Sequence, residues 1–175
     1  MPIAVCRSPI VLLLSLVLGA ASARAEIIER IMAVVAGQPV LLSDVNAALQ
    51  FRQVDPPAGT ADARAYALDR LIERTLILTE VDRFQPPEPA PIEINLRVDE
   101  LEQRAGSATA FTKALAVTGM TRERLRRLIR DDLRIETYLN QRFGTNPNLA
   151  ERSGAIATWI AELRRRAEIT VLYGR

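Results

Sequence analysis

This chain of 175 residues contains no histidine, and Cys6 is its only cysteine. The first absence removes the side chain that most often serves as a base near neutral pH. The second excludes an internal disulfide and, beyond residue 6, any thiolate nucleophile. Together they remove the two commonest ligands of zinc and related metals. Glycines stand singly at Gly37, Gly59, Gly106, Gly119, Gly144 and Gly154. None has the clustered spacing that wraps backbone amides around phosphate, so no nucleotide site is expected. Lysine is nearly absent, Lys113 being the only one. That bias toward arginine reads as a GC-rich coding sequence rather than as a nucleic-acid surface. Carboxylate pairs remain, at Asp99-Glu100 and Asp131-Asp132. Sequence neighbours on a helix point about 100° apart, so these pairs read as solvated helix faces rather than as an acid and base sharing one site. No catalytic, cofactor or metal site is expected.

What is present begins at the amino terminus. Arg7 supplies a positive start, Ile10 to Leu18 is an apolar run, and Ala23-Arg24-Ala25 is a small-X-small cleavage site. Residues 1–25 thus read as a cleavable export signal, with cleavage after Ala25 and a periplasmic destination. The apolar run is too short for a bilayer core of about 30 Å at about 1.5 Å per residue, so no stable membrane insertion is expected after cleavage. Cys6 precedes the run, where a lipidated cysteine would not be, so no lipid anchor is expected. Of 23 basic residues, Arg7 and Arg24 leave with the signal, and the remaining 21 balance 21 acidic ones. The remainder fits one domain able to bury about two thirds of its unfolded surface without staples.

Ile27 to Ala36 is apolar and β-branched, Gly37-Gln38 offers a turn, and Pro39 to Leu42 resumes an extended run, a pattern that predicts a hairpin. Ser43 is placed to cap a helix over about Asp44 to Gln53, broken by Asp55-Pro56-Pro57-Ala58-Gly59. A long amphipathic helix is predicted over Ala61 to Phe84, then a stiff connector, Gln85 to Pro91, with four prolines. Ile94, Val98, Leu101 and Ala105 mark a third helix ended by Gly106. A short helix follows over Ala108 to Val117, and Thr121 caps the longest one, to Phe143. On it Arg126, Arg130 and Arg134 repeat every fourth residue, which reads as a solvated face salt-bridged to Glu123, Asp131 and Glu136. After a loop at 144–148, a last helix spans about Leu149 to Ala167, and Ile169 to Tyr173 turns to β-character. The expected fold is mainly α with a small β-sheet, the terminal strand lying beside the first because a lone hairpin is marginal in water. Trp159 is expected to anchor the last helix to that platform.

The order of an export signal, a strand-turn-strand carrying Val34-Val35-Ala36-Gly37-Gln38-Pro39-Val40-Leu41-Leu42-Ser43-Asp44-Val45 and then long helices resembles the amino-terminal domain of the SurA and PrsA family of extracytoplasmic chaperones. Ala67 to Phe84 is similar to that family's second helix, and Phe111 to Asn140 to its long arginine-rich helix. Trp159 to Tyr173 is similar to the returning carboxy-terminal helix and strand. On this resemblance residues 26–143 form the helical core, 144–148 a loop, and 149–175 a helix and strand completing the same domain. The chain departs from the family in having only that loop where one or two parvulin isomerase domains would stand. The histidines of the parvulin site have no counterpart.

The resemblance implies an ATP-independent holdase that binds unfolded envelope or outer-membrane proteins through an apolar cleft, with no cofactor and no catalysis. Phe84, Phe111, Leu115 and Met120 are the candidate client-binding residues, each competing with an ordinary role in the core. Two alternatives are an assembly module docking on one folded partner, and a prolyl isomerase by family label only. Client identity and oligomeric state are left open by the sequence.

Overall fold

A computed structural model describes residues 29–145 and 148–174. The export signal expected in residues 1–25, with Cys6 and the expected cleavage site, lies outside the described residues. Two strands, β1 (Ile31–Val35) and β2 (Gln38–Leu41), precede six helices: α1 (Leu42–Gln50), α2 (Ala63–Phe84), α3 (Pro91–Arg104), α4 (Ala108–Thr118), α5 (Arg122–Phe143) and α6 (Leu149–Arg166). A third strand, β3 (Ile169–Val171), closes the series. The fold is mainly helical with a small antiparallel sheet of order β2-β1-β3, as the sequence predicts.

The hairpin turn sits one residue earlier than predicted, at Ala36 and Gly37, with φ of 48° and 80°. Both residues are left-handed, which matches the twist of a two-residue hairpin, and Val35 then pairs with Gln38. In the register of β2, Pro39 sits opposite Val34. A proline there has no N–H to offer at the sheet's outer edge, which protects β2 from pairing with a further strand. On the other side Val34 pairs with Thr170 and Ala33 with Val171, so the end of the chain does lie beside its beginning.

Ser43 does not cap α1. Leu41 leaves β2 still extended (φ −103°, ψ 157°) and the helix begins at once with Leu42. The Leu41 N–H is satisfied by the Asp44 carboxylate at 3.1 Å. Ser43 therefore lies inside the first turn, buried, its hydroxyl without a hydrogen-bond partner. Asp62 caps α2 by accepting from the N–H groups of Arg64 and Ala65 at 3.0 and 2.9 Å. Pro91 opens α3 rather than ending the connector, because the first helical position needs no donor. Thr121 caps α5 as predicted, accepting from Arg124 N–H at 3.1 Å.

The interior divides into two apolar clusters. One joins the sheet to α2, the carboxy-terminal half of α5 and α6, around Met32, Val35, Ile72, Val81, Tyr138 and Trp159. The other lies among α1, α3, α4 and the amino-terminal half of α5, around Phe51, Val98, Phe111, Met120, Leu125 and Ile129. Helix α5 serves both, and its apolar residues change cluster across Arg130 to Arg134. The arginine face is not simply solvated. Arg134 is 7% exposed and bonds Asp82 at 2.9 Å, with Glu88 at 3.3 Å and Asp131 at 3.8 Å. Arg126 reaches Asn95 and Arg130 reaches Asp131. Of the predicted acidic partners only Asp131 serves. The others come from α2, α3 and the proline connector, so the stripe clamps α5 to its neighbours.

Candidate functional site

The four candidate client residues are not brought together. Phe111 (0% exposed), Leu115 and Met120 are part of the second cluster, where α4 and the start of α5 close over Phe51. The Phe51 and Phe111 rings lie 5.8 Å apart. These three are core residues, a correction that follows from the packing of α4 on α1 and α3, with Met120 closing the cluster just beyond its end. Phe84 differs. It ends α2, rests one face on Tyr138 at 5.3 Å, and stays 62% exposed. Beyond the proline connector Ile92 and Leu96 are also exposed, at 61% and 55%. Their spacing of four, off the inward stripe of Ile94, Val98 and Leu101, is the signal that could have found them in the sequence. Trp159 is buried as expected, but its ring neighbours, Tyr138 at 5.9 Å and Phe143 at 5.5 Å, are on α5. The Arg142 guanidinium sits 5.1 Å from its centroid.

The best-formed concavity is a groove between the hairpin and the facing sides of α2 and α5, a cavity of about 280 Å³. Val40, Leu71, Leu78 and Leu128 give it apolar walls. Charge pairs hold it open. Arg124 Nη2 donates to both oxygens of Asp44, at 2.9 and 3.0 Å, tying α5 to α1. Arg74 Nε donates to Asp132 at 2.6 Å and its Nη2 to the Leu128 carbonyl at 3.0 Å, spanning α2 and α5. Arg74 borders two further hollows, of about 420 and 430 Å³, and is the pillar between them and the groove. None of these pairs was visible in the sequence, because the partners are about eighty and sixty residues apart, beyond any local spacing rule.

Burial pushes the Asp132 carboxyl above its ordinary value of 3.8, with Arg74 pulling it back. Asp44 is raised for the same reason, against Arg124. On the far side of α2, Arg164 of α6 bonds both Asp69 and Glu73. The Arg164 hydrogen bond holds Asp69 below its ordinary value, while burial raises Glu73. The Asp132 side chain is nonetheless 45% exposed, so solvent offsets much of that burial and screens its pair with Arg74, which positions the helices more than it stabilises them.

A carboxyl raised by folding contributes stability that is fully present below its unfolded value and is lost as pH rises through the folded one. Asp44, whose side chain is mostly buried, is the group to test, and Asp44→Asn is expected to gain on the wild type as pH rises from about 3.5 to 7, which calorimetric Tm values across that range would read. A Tm difference that falls with pH would reverse the assignment.

Among the described residues no group of three or more carboxylate, histidine or cysteine side chains could hold a metal ion, and no helix is long and apolar enough to cross a membrane. The groove has apolar walls with arginine-carboxylate pairs at its rims. No protein-family model matches this chain, and no curated protein matches it in sequence.

Proposed function

We propose that the protein is an extracytoplasmic, ATP-independent chaperone of the SurA and PrsA kind, reduced to the helical core, that holds unfolded envelope or outer-membrane proteins. The observation that carries this reading is the pairing of β3 with β1. A segment from the far end of the chain completes the sheet opened by the Val34 to Val45 motif, as the resemblance implies. The export signal read in residues 1–25 supports a periplasmic site of action.

The energetics favour holding over tight binding. Shielding about 100 Å² of apolar client surface contributes about 2.5 kcal/mol. A dissociation constant near 1 μM needs about 8 kcal/mol, hence more than 300 Å² before ordering costs. The groove alone takes one or two side chains. Phe84, Ile92 and Leu96 supply further apolar surface on either side of the connector, so a client is held by several weak contacts and released without ATP.

Residues 26–175 in about tenfold excess are expected to suppress aggregation of an unfolded porin as read by light scattering, a ratio high enough to saturate a weak site. Ile92→Ala combined with Leu96→Ala is expected to cut that protection several-fold with Tm nearly unchanged, since both side chains are exposed. No suppression by the wild type would end this reading.

One observation favours a second reading, an assembly module for a single folded partner. In the antiparallel register Thr170 bonds Val34, so the backbone groups of Ile169 and Val171 face outward on an open edge. Crosslinking in cells separates the two readings: many clients for a chaperone, one stoichiometric partner for a subunit.

A further inference from the structure

Another hollow, of about 300 Å³, lies apart from the groove, where the carboxy-terminal ends of α1 and α3 meet the side of α4. Its walls are Phe51, Leu101 and Ala114, all belonging to or packed on the second cluster, and its rim carries Arg52 and Arg104 with the amide of Gln50. No acidic side chain lines it. Most other arginines of the fold are engaged with carboxylates, and the nearest acid in sequence, Glu102, is taken by Arg122 at 2.6 Å. Arg52 and Arg104 make no ion pair or side-chain hydrogen bond among the described residues. Arg52 is moreover held in the left-handed region, φ 49°, directly after α1.

The charge can be counted. Two guanidiniums contribute two positive charges, and the carboxy-terminal ends of α1 and α3 each contribute about half a negative charge. About one positive charge is left over an apolar floor. A monoanion with an apolar body matches that balance, whereas a phosphate dianion would overfill it. The volume takes one large side chain, and the Gln50 amide offers the donor and acceptor that a peptide group uses and an aliphatic acid lacks.

We propose that this hollow binds the free carboxyl end of a polypeptide whose last side chain is apolar, the carboxylate between Arg52 and Arg104 and the side chain against Phe51 and Leu101. The inference deepens the chaperone reading by naming which end of a client is grasped. Its test uses no unfolded client, so the two can fail separately.

The probe is a short, fluorophore-labelled glycine-serine peptide ending in leucine, titrated into residues 26–175 at low salt and followed by anisotropy. Amidating its carboxyl end is expected to weaken binding by at least about tenfold, the loss of a charge-assisted hydrogen bond. Arg52→Gln with Arg104→Gln should weaken binding of the free acid similarly while a circular dichroism melt stays in place, because neither side chain has a protein partner to lose. Equal affinity for acid and amide would overturn the proposal without any variant. Binding of decanoate but not of the peptide would overturn it in favour of a free aliphatic acid. Undiminished binding by the double variant would overturn the assignment of the two arginines.

Discussion

Phe111→Ala is expected to destabilise the protein by about 3–5 kcal/mol, the usual loss when a buried aromatic is cut back to alanine. Phe111 is fully buried at the centre of the second cluster, tilted against Phe51, with the Arg122 guanidinium 5.3 Å from its ring centroid. Nothing nearby can collapse into the space. Walls come from three helices, and Ser107, Gly119 and Thr121 fix both ends of α4 and the start of α5. Against a total stability of about 5–15 kcal/mol this is a large fraction. At this chain length it corresponds to a fall of roughly 10 °C in Tm, measured by circular dichroism. Phe111→Leu, which keeps most of the volume, should lose less than half as much. The comparison also separates a core role from a client-binding one. A residue that touched clients would, when truncated, lower aggregation suppression without lowering Tm, whereas Phe111→Ala should lower both, and the activity should return on cooling the variant below its transition.

Trp159→Ala is expected to cost a similar amount, about 3–5 kcal/mol, by a different route. Trp159 holds α6 against Tyr138 and Phe143 of α5, beneath the Arg142 guanidinium. Helix α6 is also held by Ile160 and Leu163, by the Arg164 bonds to Asp69 and Glu73, and by Arg152 on Asn140 of α5. Its last residues deliver β3 to the sheet. Loosening α6 therefore loosens β3, and the Val34 amide, which Thr170 covers, should lose hydrogen-exchange protection out of proportion to amides in α3 and α4. Unchanged exchange at Val34 in a variant with lowered Tm would mean that the strand is held independently of the helix. Trp159→Phe should restore most of the protection.

Much of the fold was legible because it follows local rules. Periodicity placed α2, α3, α5 and α6, breaks and turn signals bracketed α1 and α4, Thr121 read as a cap, and Gly106 and Gly119 marked helix ends with positive φ. The joining of β3 to β1 was legible from a bulk argument, that two strands alone do not persist. What was not legible depended on partners distant in sequence. Ser43 looks like a cap until Leu41 is seen to leave the strand directly into the helix. Arg134 looks like its neighbours in the stripe until Asp82 and Glu88 are folded over it. Phe111, Leu115 and Met120 could not be told from cleft residues, since an apolar stripe is the same whether a helix or a client covers it. The groove itself was invisible, being defined by Arg74 and Arg124 reaching across the molecule. Ile92 and Leu96 were the missed local signal.

The pairing of Val34 with Thr170 joins positions 136 residues apart, 170 minus 34. Closing so long a loop costs on the order of 4 kcal/mol in chain entropy before any contact is gained. The α3–α4–α5 cluster needs only short loops and can condense first. In a chain that emerges amino end first, the hairpin of β1 and β2 therefore keeps the open side of β1 unpaired until residues 169–171 are present. The sheet of this molecule is thus completed in one late step, the docking of β3, on a helical cluster already formed.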